Sequence, residues 1–143
     1  WFNKQTPSNS ESENNEITKI VNNSIKNYLN YFDNYKIDKA TNEILYLATN
    51  VNLYLNKKEP WALIKEDKNL NEVKLIIYNV LEATRIIGNL IKPLLPEFSN
   101  KILYQLGEDD LKRNWQENLK WGLLPESRDL PRPNPIINKL DYE

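Results

Sequence analysis

Apolar residues recur every three or four positions along most of this chain, which is the spacing of one buried face of an α-helix. The clearest runs cover roughly residues 16–34, 38–57 and 70–95, and a continuation of the last run ends at Gly107. Glycine is the residue most often found just after a helix. No segment alternates apolar and polar residues as a half-buried strand does. The pattern therefore predicts an all-α protein, an antiparallel bundle of about five helices.

Prolines mark the corners between the predicted helices. Pro60 suits the first turn of a short new helix that contains Trp61, because the first helical position needs no backbone N–H. Pro93 and Pro96 break or bend the long helix that precedes them, since a proline ring clashes with the preceding turn. The order of the elements is thus long helices separated by sharp turns.

The two ends of the chain lack a helical pattern. Residues 1–15 are polar and predict a surface loop that follows a truncated helix. Residues 16–122 are predicted to form the helical domain, and its last short helix would have Asp109 or Asp110 as N-cap. Residues 123–143 contain several prolines and predict an extended, proline-rich tail that packs on the bundle.

Composition excludes several kinds of chemistry. A length of 143 residues with 40% hydrophobic residues suits one domain with one core. Histidine and cysteine are both absent, which excludes disulfides, thiolate chemistry and an imidazole base. Acidic residues are scattered over polar helix faces, there is no glycine-rich phosphate loop, and no apolar run is long enough to span a membrane. We therefore expect no catalytic site, no metal site and no membrane partner for this chain.

The net charge of −1 limits how the chain could bind nucleic acid. Non-specific binding depends mainly on contacts between basic side chains and phosphates, and this chain has no basic excess. DNA is therefore not an expected partner. Any binding of RNA would be local and directed at its shape or its bases.

Trp61 lies directly after Pro60, at the corner between two helix patterns. An exposed indole there could stack on an unpaired base, and the unpaired N–H groups of a helix start could meet a phosphate or a base edge. A buried indole would instead be an ordinary core residue, because tryptophan removes a large apolar surface from water. The corner by itself leaves both interpretations open.

The wider sequence around this corner resembles the anticodon-binding domain of methionyl-tRNA synthetase. The pattern of that family has Asn-x-Tyr, a few polar residues, Pro-Trp and a lysine four residues on. A Leu-x-Pro-x-x-Pro segment follows later and leads to Ser-x-x-Ile and Leu-Gly. The residues of this chain in that frame are Asn52, Tyr54, Pro60, Trp61, Lys65, Pro93, Pro96, Ser99, Ile102, Leu106 and Gly107. The resemblance extends from about residue 33 to the tail.

In that family the indole of the Pro-Trp pair stacks on an anticodon base and helps to recognise the triplet CAU. The resemblance thus implies that Trp61 contacts RNA, with Asn52, Lys57 and Lys58 as further RNA-binding candidates. Asn52 could contact a base, support Trp61, or merely satisfy a helix end. The two lysines could meet phosphates or line a solvated turn. The base-reading Asn-x-x-x-Arg motif of the family lies upstream of the position of Trp1, so this chain does not contain it.

Arg85 also matches an arginine of the family, but it lies beside the apolar Ile86 and Ile87. An arginine among core residues needs a buried partner. We expect a structural ion pair with Glu82 rather than an RNA contact.

The resemblance further implies a longer parent protein, a cytoplasmic methionine–tRNA ligase that uses ATP and magnesium to attach methionine to tRNA. Its catalytic domain would be a partner of this chain, which contains neither a HIGH-type nor a KMSKS-type motif and has no cofactor of its own. Two alternatives stay open. One is the equivalent bundle of another class I synthetase, such as the leucyl or cysteinyl enzyme, and the other is a helical protein-interaction module with no RNA role.

Overall fold

The computed structural model describes residues 2–7, 15–108 and 113–137. Its helices are α1 (Glu16–Asp33), α2 (Ile37–Lys58), α3 (Pro60–Leu63), α4 (Leu70–Ile91) and α5 (Pro96–Gln105). Single 3₁₀ turns occur at Phe2–Lys4, Asp67–Asn69 and Glu117–Leu119. The predicted all-α helix bundle is confirmed.

Helix α4 forms the centre of the bundle and packs against α1, α2, α3 and α5. Helices α1 and α2 pack closely on each other, joined by a connection of three residues, 34–36. The core residues that these helices share are Ile17, Val21, Tyr28, Ala40, Ile44, Leu47, Val51, Ala83, Ile86 and Leu90. Burial of each large apolar side chain stabilises the fold by about 1.5–3 kcal/mol. No described helix is both long and apolar enough to cross a membrane.

The starts and ends of the helices follow local sequence rules. Asn15 caps α1, since its Oδ1 accepts a hydrogen bond of 3.0 Å from the backbone N–H of Thr18. Helix α4 ends at Ile91 and not near residue 95 as predicted. The reason is Pro93, which has no N–H for the next turn and whose ring would clash with the preceding turn. The sequence located the break correctly but placed the helix end too far along the chain.

Gly107 ends α5 as predicted. Its φ is +67°, in the left-handed region that glycine adopts without strain. The N–H of Gly107 donates to the carbonyl of Tyr104 at 2.9 Å, and the N–H of Glu108 donates to the carbonyl of Leu103 at 3.0 Å. These two bonds form a Schellman motif, which satisfies the last carbonyls of the helix.

The helix predicted over residues 109–121 is wrong in its described part. Residues 113–122 contain a single 3₁₀ turn, Glu117–Leu119, and no α-helix. The predicted N-cap residues, Asp109 and Asp110, lie outside the described residues. The physical reason for the missing helix is a buried ion pair on α4 that binds the backbone of this segment.

Glu82 and Arg85 form this ion pair. Arg85 Nε and Nη2 donate to the two carboxylate oxygens of Glu82 at 2.9 and 2.7 Å, and both side chains are fully buried. Arg85 also donates to the backbone carbonyls of Asn118 and Lys120, each at 2.7 Å. Glu82 accepts from the backbone N–H groups of residues 122–124 at 2.7, 3.0 and 3.1 Å. These bonds hold the segment against the ion pair, with Lys120 in an extended conformation, φ −75° and ψ 140°, which an α-helix does not contain. The predicted ion pair of Arg85 with Glu82 is confirmed.

Trp115 and Trp121 pack against the bundle although they do not lie on a helix. Trp115 Nε1 donates to the carbonyl of Asn89 at 2.7 Å. Its ring contacts Tyr28 and Phe32 with centroid distances of 6.2 and 6.3 Å. Contacts of this kind stabilise the segment that follows α5.

The N-terminal segment pairs with the segment that follows residue 124. Thr6 donates its N–H to the carbonyl of Arg128 at 3.0 Å and accepts from the N–H of Ser127 at 2.9 Å. The turn Phe2–Lys4 has φ values of 46°, 49° and 63°. It is therefore a left-handed turn, and the first residue lies outside the described residues. The extended tail over residues 123–143 stays a prediction.

Candidate nucleic-acid interface

The corner between α2 and α3 contains a single residue, Glu59. Its φ and ψ are 45° and 53°, the left-handed region that residues other than glycine seldom adopt. Pro60 follows at the first position of α3, where its missing N–H breaks no helical bond. The N–H groups of Ala62 and Leu63 donate to the carbonyl of Glu59 at 2.8 and 3.2 Å. These two donors are therefore occupied and are not available to a phosphate.

Trp61 is the second residue of α3 and is 47% exposed. Pro60 before it is buried, and Leu63 after it is half-buried. The backbone is thus packed on the bundle while part of the indole meets solvent. Complete enclosure of this ring would exclude a stacking role, and the structure does not enclose it. An exposed indole on a fixed backbone can stack on an unpaired base.

The other predicted RNA-binding residues lie on the last two turns of α2. Asn52 and Lys57 are exposed, and Lys58 is half-buried. Asn52 lies inside α2, which ends at Lys58, so it does not satisfy a helix end as one interpretation had it. The four candidates, which are these three residues and Trp61, therefore lie in one continuous stretch of the chain at the same end of the bundle.

Charges of both signs surround this corner. Lys57 Nζ is 3.7 Å from the carboxylate of Glu16, but both side chains are more than 60% exposed, at 72% and 64%. An ion pair with such exposure is worth at most about 1 kcal/mol and can exchange for a phosphate. Glu59 adds a negative charge between Lys58 and Pro60. The corner is thus no basic patch, and in the described part of the chain no group of three His, Cys, Asp or Glu residues could hold a metal ion.

A hydrogen bond between α2 and α4 lies beneath the corner. Asn79 Nδ2 donates to Tyr54 Oη at 3.1 Å, and Asn79 is fully buried. Burial raises the pKa of Tyr54, the hydrogen bond from Asn79 opposes that shift, and the charges of Glu16 and Glu72 add to it. The hydroxyl therefore keeps its proton at neutral pH. Sequence reasoning missed Asn79, although a lone asparagine on the apolar stripe of a core helix is a signal of a buried polar contact.

Comparison with known sequences identifies the family. A family model for the anticodon binding domain of methionyl tRNA ligase matches residues 5–143. The methionine–tRNA ligase of Caldanaerobacter subterraneus subsp. tengcongensis is 30% identical over 137 residues, which cover 96% of this chain and 21% of that protein. The enzyme of Enterococcus faecalis is 30% identical over 144 residues, which cover 100% of this chain and 21% of that protein. The chain thus spans about a fifth of the length of these curated relatives.

Solved structures show the same fold. The apo form of Mycobacterium tuberculosis methionyl-tRNA synthetase matches with a TM-score of 0.83 at 22% identity, over 98% of this chain and 29% of that chain. The same enzyme in complex with methionyl-adenylate matches with a TM-score of 0.76 at 22% identity, over 95% of this chain and 27% of that chain. The family match favours the methionyl type over the leucyl or cysteinyl type. The chain belongs to the family of methionyl-tRNA ligase anticodon-binding domains.

Proposed function

We propose that this chain binds the anticodon loop of a tRNA with the anticodon CAU, and that Trp61 supplies the main contact. The observation that supports this proposal is the half-exposed indole on a corner whose backbone is fixed by Pro60 and Glu59. Stacking on a base contributes roughly 1–3 kcal/mol and needs no positive charge. It therefore suits a chain with a net charge of −1.

Asn52, Lys57 and Lys58 would add weaker contacts. The side-chain amide of Asn52 can both donate and accept, which suits the edge of a base. The exposed ammonium group of Lys57 and the half-buried Lys58 would meet phosphates of the loop. These contacts would position the loop, and the indole would provide most of the local binding energy.

The parent protein would be a methionine–tRNA ligase that activates methionine with ATP and magnesium and then transfers it to tRNA. The groups for that chemistry would lie in its catalytic domain, outside this chain, which spans about a fifth of its curated relatives. The domain described here would select the tRNA, and that catalytic domain would be its partner within the same protein. We expect the parent protein to act in the cytoplasm.

The replacement Trp61→Ala in the full-length parent protein tests this function. Methionine activation needs no tRNA and should stay near the wild-type rate. Aminoacylation should lose the stacking energy, about 5- to 150-fold in kcat/KM for tRNA. The replacement Trp115→Ala is the matched control, because this indole is partly buried and packs against the bundle on Tyr28 and Phe32. It should lower the melting temperature without a specific effect on tRNA.

The opposite pattern would refute the proposal. If Trp61 is only a packing residue, Trp61→Ala should remove about 3–5 kcal/mol of stability. Charging of tRNA would then fall only as far as the enzyme unfolds. A strong drop in melting temperature together with an unchanged KM for tRNA in the folded enzyme would exclude the anticodon role of Trp61.

A further inference from the structure

Asn79 is a buried polar residue that neither the ion pair on α4 nor the proposed RNA contacts explain. Its Nδ2 donates to Tyr54 Oη at 3.1 Å. Its Oδ1 is buried and has no hydrogen-bond partner among the described protein atoms. An amide that satisfies only part of its bonding capacity is a poor choice for stability, since its unpaired oxygen is buried at a cost that an apolar side chain would not carry. The hydrogen bond to Tyr54 is the favourable interaction that the amide does make.

Tyr54 lies in the part of α2 that leads directly into the corner. The N–H of Glu59 donates to the carbonyl of Leu55 at 3.1 Å, so the residue after Tyr54 already bonds the corner residue. Helix α4, which contains Asn79, packs on both α2 and α3. The bond between Asn79 and Tyr54 therefore joins the central helix to the last turns before Trp61.

The strained backbone of the corner needs such support. A residue other than glycine in the left-handed region costs roughly 1–2 kcal/mol, and Glu59 adopts that region with φ 45°. Conformations of this kind persist only where the surrounding structure holds them in place. Apolar contacts between α2 and α4 resist separation but are not directional. A hydrogen bond between two side chains is directional and fixes the angle at which they meet.

We propose that Asn79 and Tyr54 are positioning residues for the indole of Trp61. Their hydrogen bond sets how the C-terminal turns of α2 lie on α4, and through Glu59 it sets the direction in which Trp61 faces the RNA. Asn79 is fully buried and so does not touch RNA itself. The inference rests on the proposed function of Trp61.

The test uses the full-length parent protein with Tyr54→Phe and with the double replacement Tyr54→Phe/Asn79→Leu. The single variant removes one hydroxyl from a half-buried ring and leaves the Nδ2 group of Asn79 without its acceptor. The double variant replaces the polar pair by an apolar pair and should restore the melting temperature. We expect both variants to raise the KM for tRNA by about tenfold, because a small error in the position of the Trp61 indole is costly for its contact with RNA. The kcat and the rate of methionine activation should stay unchanged.

The neighbouring residue supplies a matched control. Tyr78 Oη donates to the carbonyl of Leu124 at 3.0 Å, so Tyr78→Phe removes a buried phenol bond on α4 that does not lead to the corner. This variant should lower the melting temperature and leave the KM for tRNA unchanged. An equal rise in KM for Tyr78→Phe would mean that general loosening of α4 causes the effect, which would overturn the proposal.

The decisive comparison is between the double variant and Trp61→Ala. A double variant with a restored melting temperature and a wild-type KM for tRNA shows that the polar pair is only structural, and this overturns the proposal. If Trp61→Ala still raises the KM in that case, the proposed function stands without the positioning role. If Trp61→Ala also has no effect on the KM, both fail together. If the double variant does not fold, the KM for tRNA of the single variant Tyr54→Phe decides: a wild-type KM overturns the proposal, and a raised KM supports it.

Discussion

Replacement of Glu82 by glutamine should destabilise the bundle far more than its small chemical change suggests. The carboxylate accepts hydrogen bonds from Nε and Nη2 of Arg85 and from the backbone N–H groups of residues 122–124. Glutamine keeps the volume but removes the charge, and it turns one acceptor oxygen into a donor NH₂ group that faces other donors. Removing one partner of a buried ion pair costs about 3–5 kcal/mol, and each stranded buried donor costs about 1–3 kcal/mol. We therefore expect a loss of about 3–5 kcal/mol.

Urea unfolding of the 143-residue chain, followed by circular dichroism, measures this loss. A loss of that size is a fifth or more of the free energy of unfolding of a typical domain, about 5–15 kcal/mol. The matched control is Glu66→Gln, since Glu66 pairs with Lys68 at 2.7 Å with both side chains largely exposed. The control should cost less than about 1 kcal/mol. If Glu82→Gln costs as little as Glu66→Gln, the ion pair does not hold the segment after α5, and our explanation of the missing helix is wrong.

Three further predictions concern the corner, the core and the isolated chain. Glu59→Gly should raise the stability by about 0.5–1 kcal/mol in thermal unfolding, because glycine adopts the positive φ of this position without strain; a loss of stability would contradict this. Burial raises the pKa of Tyr28 to about 12, so the unfolded chain loses the phenol proton first as the pH rises above about 10. Stability should therefore fall between pH 10 and 12, and Tyr28→Phe should show a smaller fall in urea titrations. The isolated chain should bind a CAU stem-loop only at about 10⁻⁴ M or weaker at physiological salt, and sub-micromolar, anticodon-selective binding in a titration would refute that.

Local patterns predicted the helices well because each helix buries one face against α4. The three-to-four spacing located the ends of α1 and α2 to within about one residue. The rules for proline and glycine correctly predicted a helix start at Pro60, a helix break at Pro96 and a helix end at Gly107. These features depend on neighbours in the sequence, so the sequence contains the information.

Features that depend on distant contacts were not predicted. Residues 113–122 have a helical spacing of apolar residues, yet the buried pair of Glu82 and Arg85 binds their backbone and prevents a helix. The ion pair of Glu82 with Arg85 was predictable, because the two residues lie three positions apart on α4. The backbone groups that this ion pair binds were not predictable. In the same way Asn79 gave a recognisable polar signal, but its partner Tyr54 follows only from how α2 packs on α4.

The exposure of Trp61 is another feature that depends on distant contacts. The sequence placed the indole at a corner but could not decide between a buried and an exposed ring, since that depends on how α3 packs against α4. The structure gives a half-exposed ring. Its contact with RNA stays a prediction.

The most direct test of the account is equilibrium binding of tRNA to the full-length parent protein with Trp61 replaced by phenylalanine and by leucine. Phenylalanine keeps a smaller aromatic face, whereas leucine keeps apolar bulk without a π-face, and the partial exposure of Trp61 should leave the melting temperatures of both variants close to the wild type. If the ring stacks on a base, the affinity should fall in the order tryptophan, phenylalanine, leucine. Leucine should then bind about 5- to 150-fold more weakly than tryptophan. Equal affinities for the three folded proteins would contradict the claim that Trp61 stacks on the anticodon.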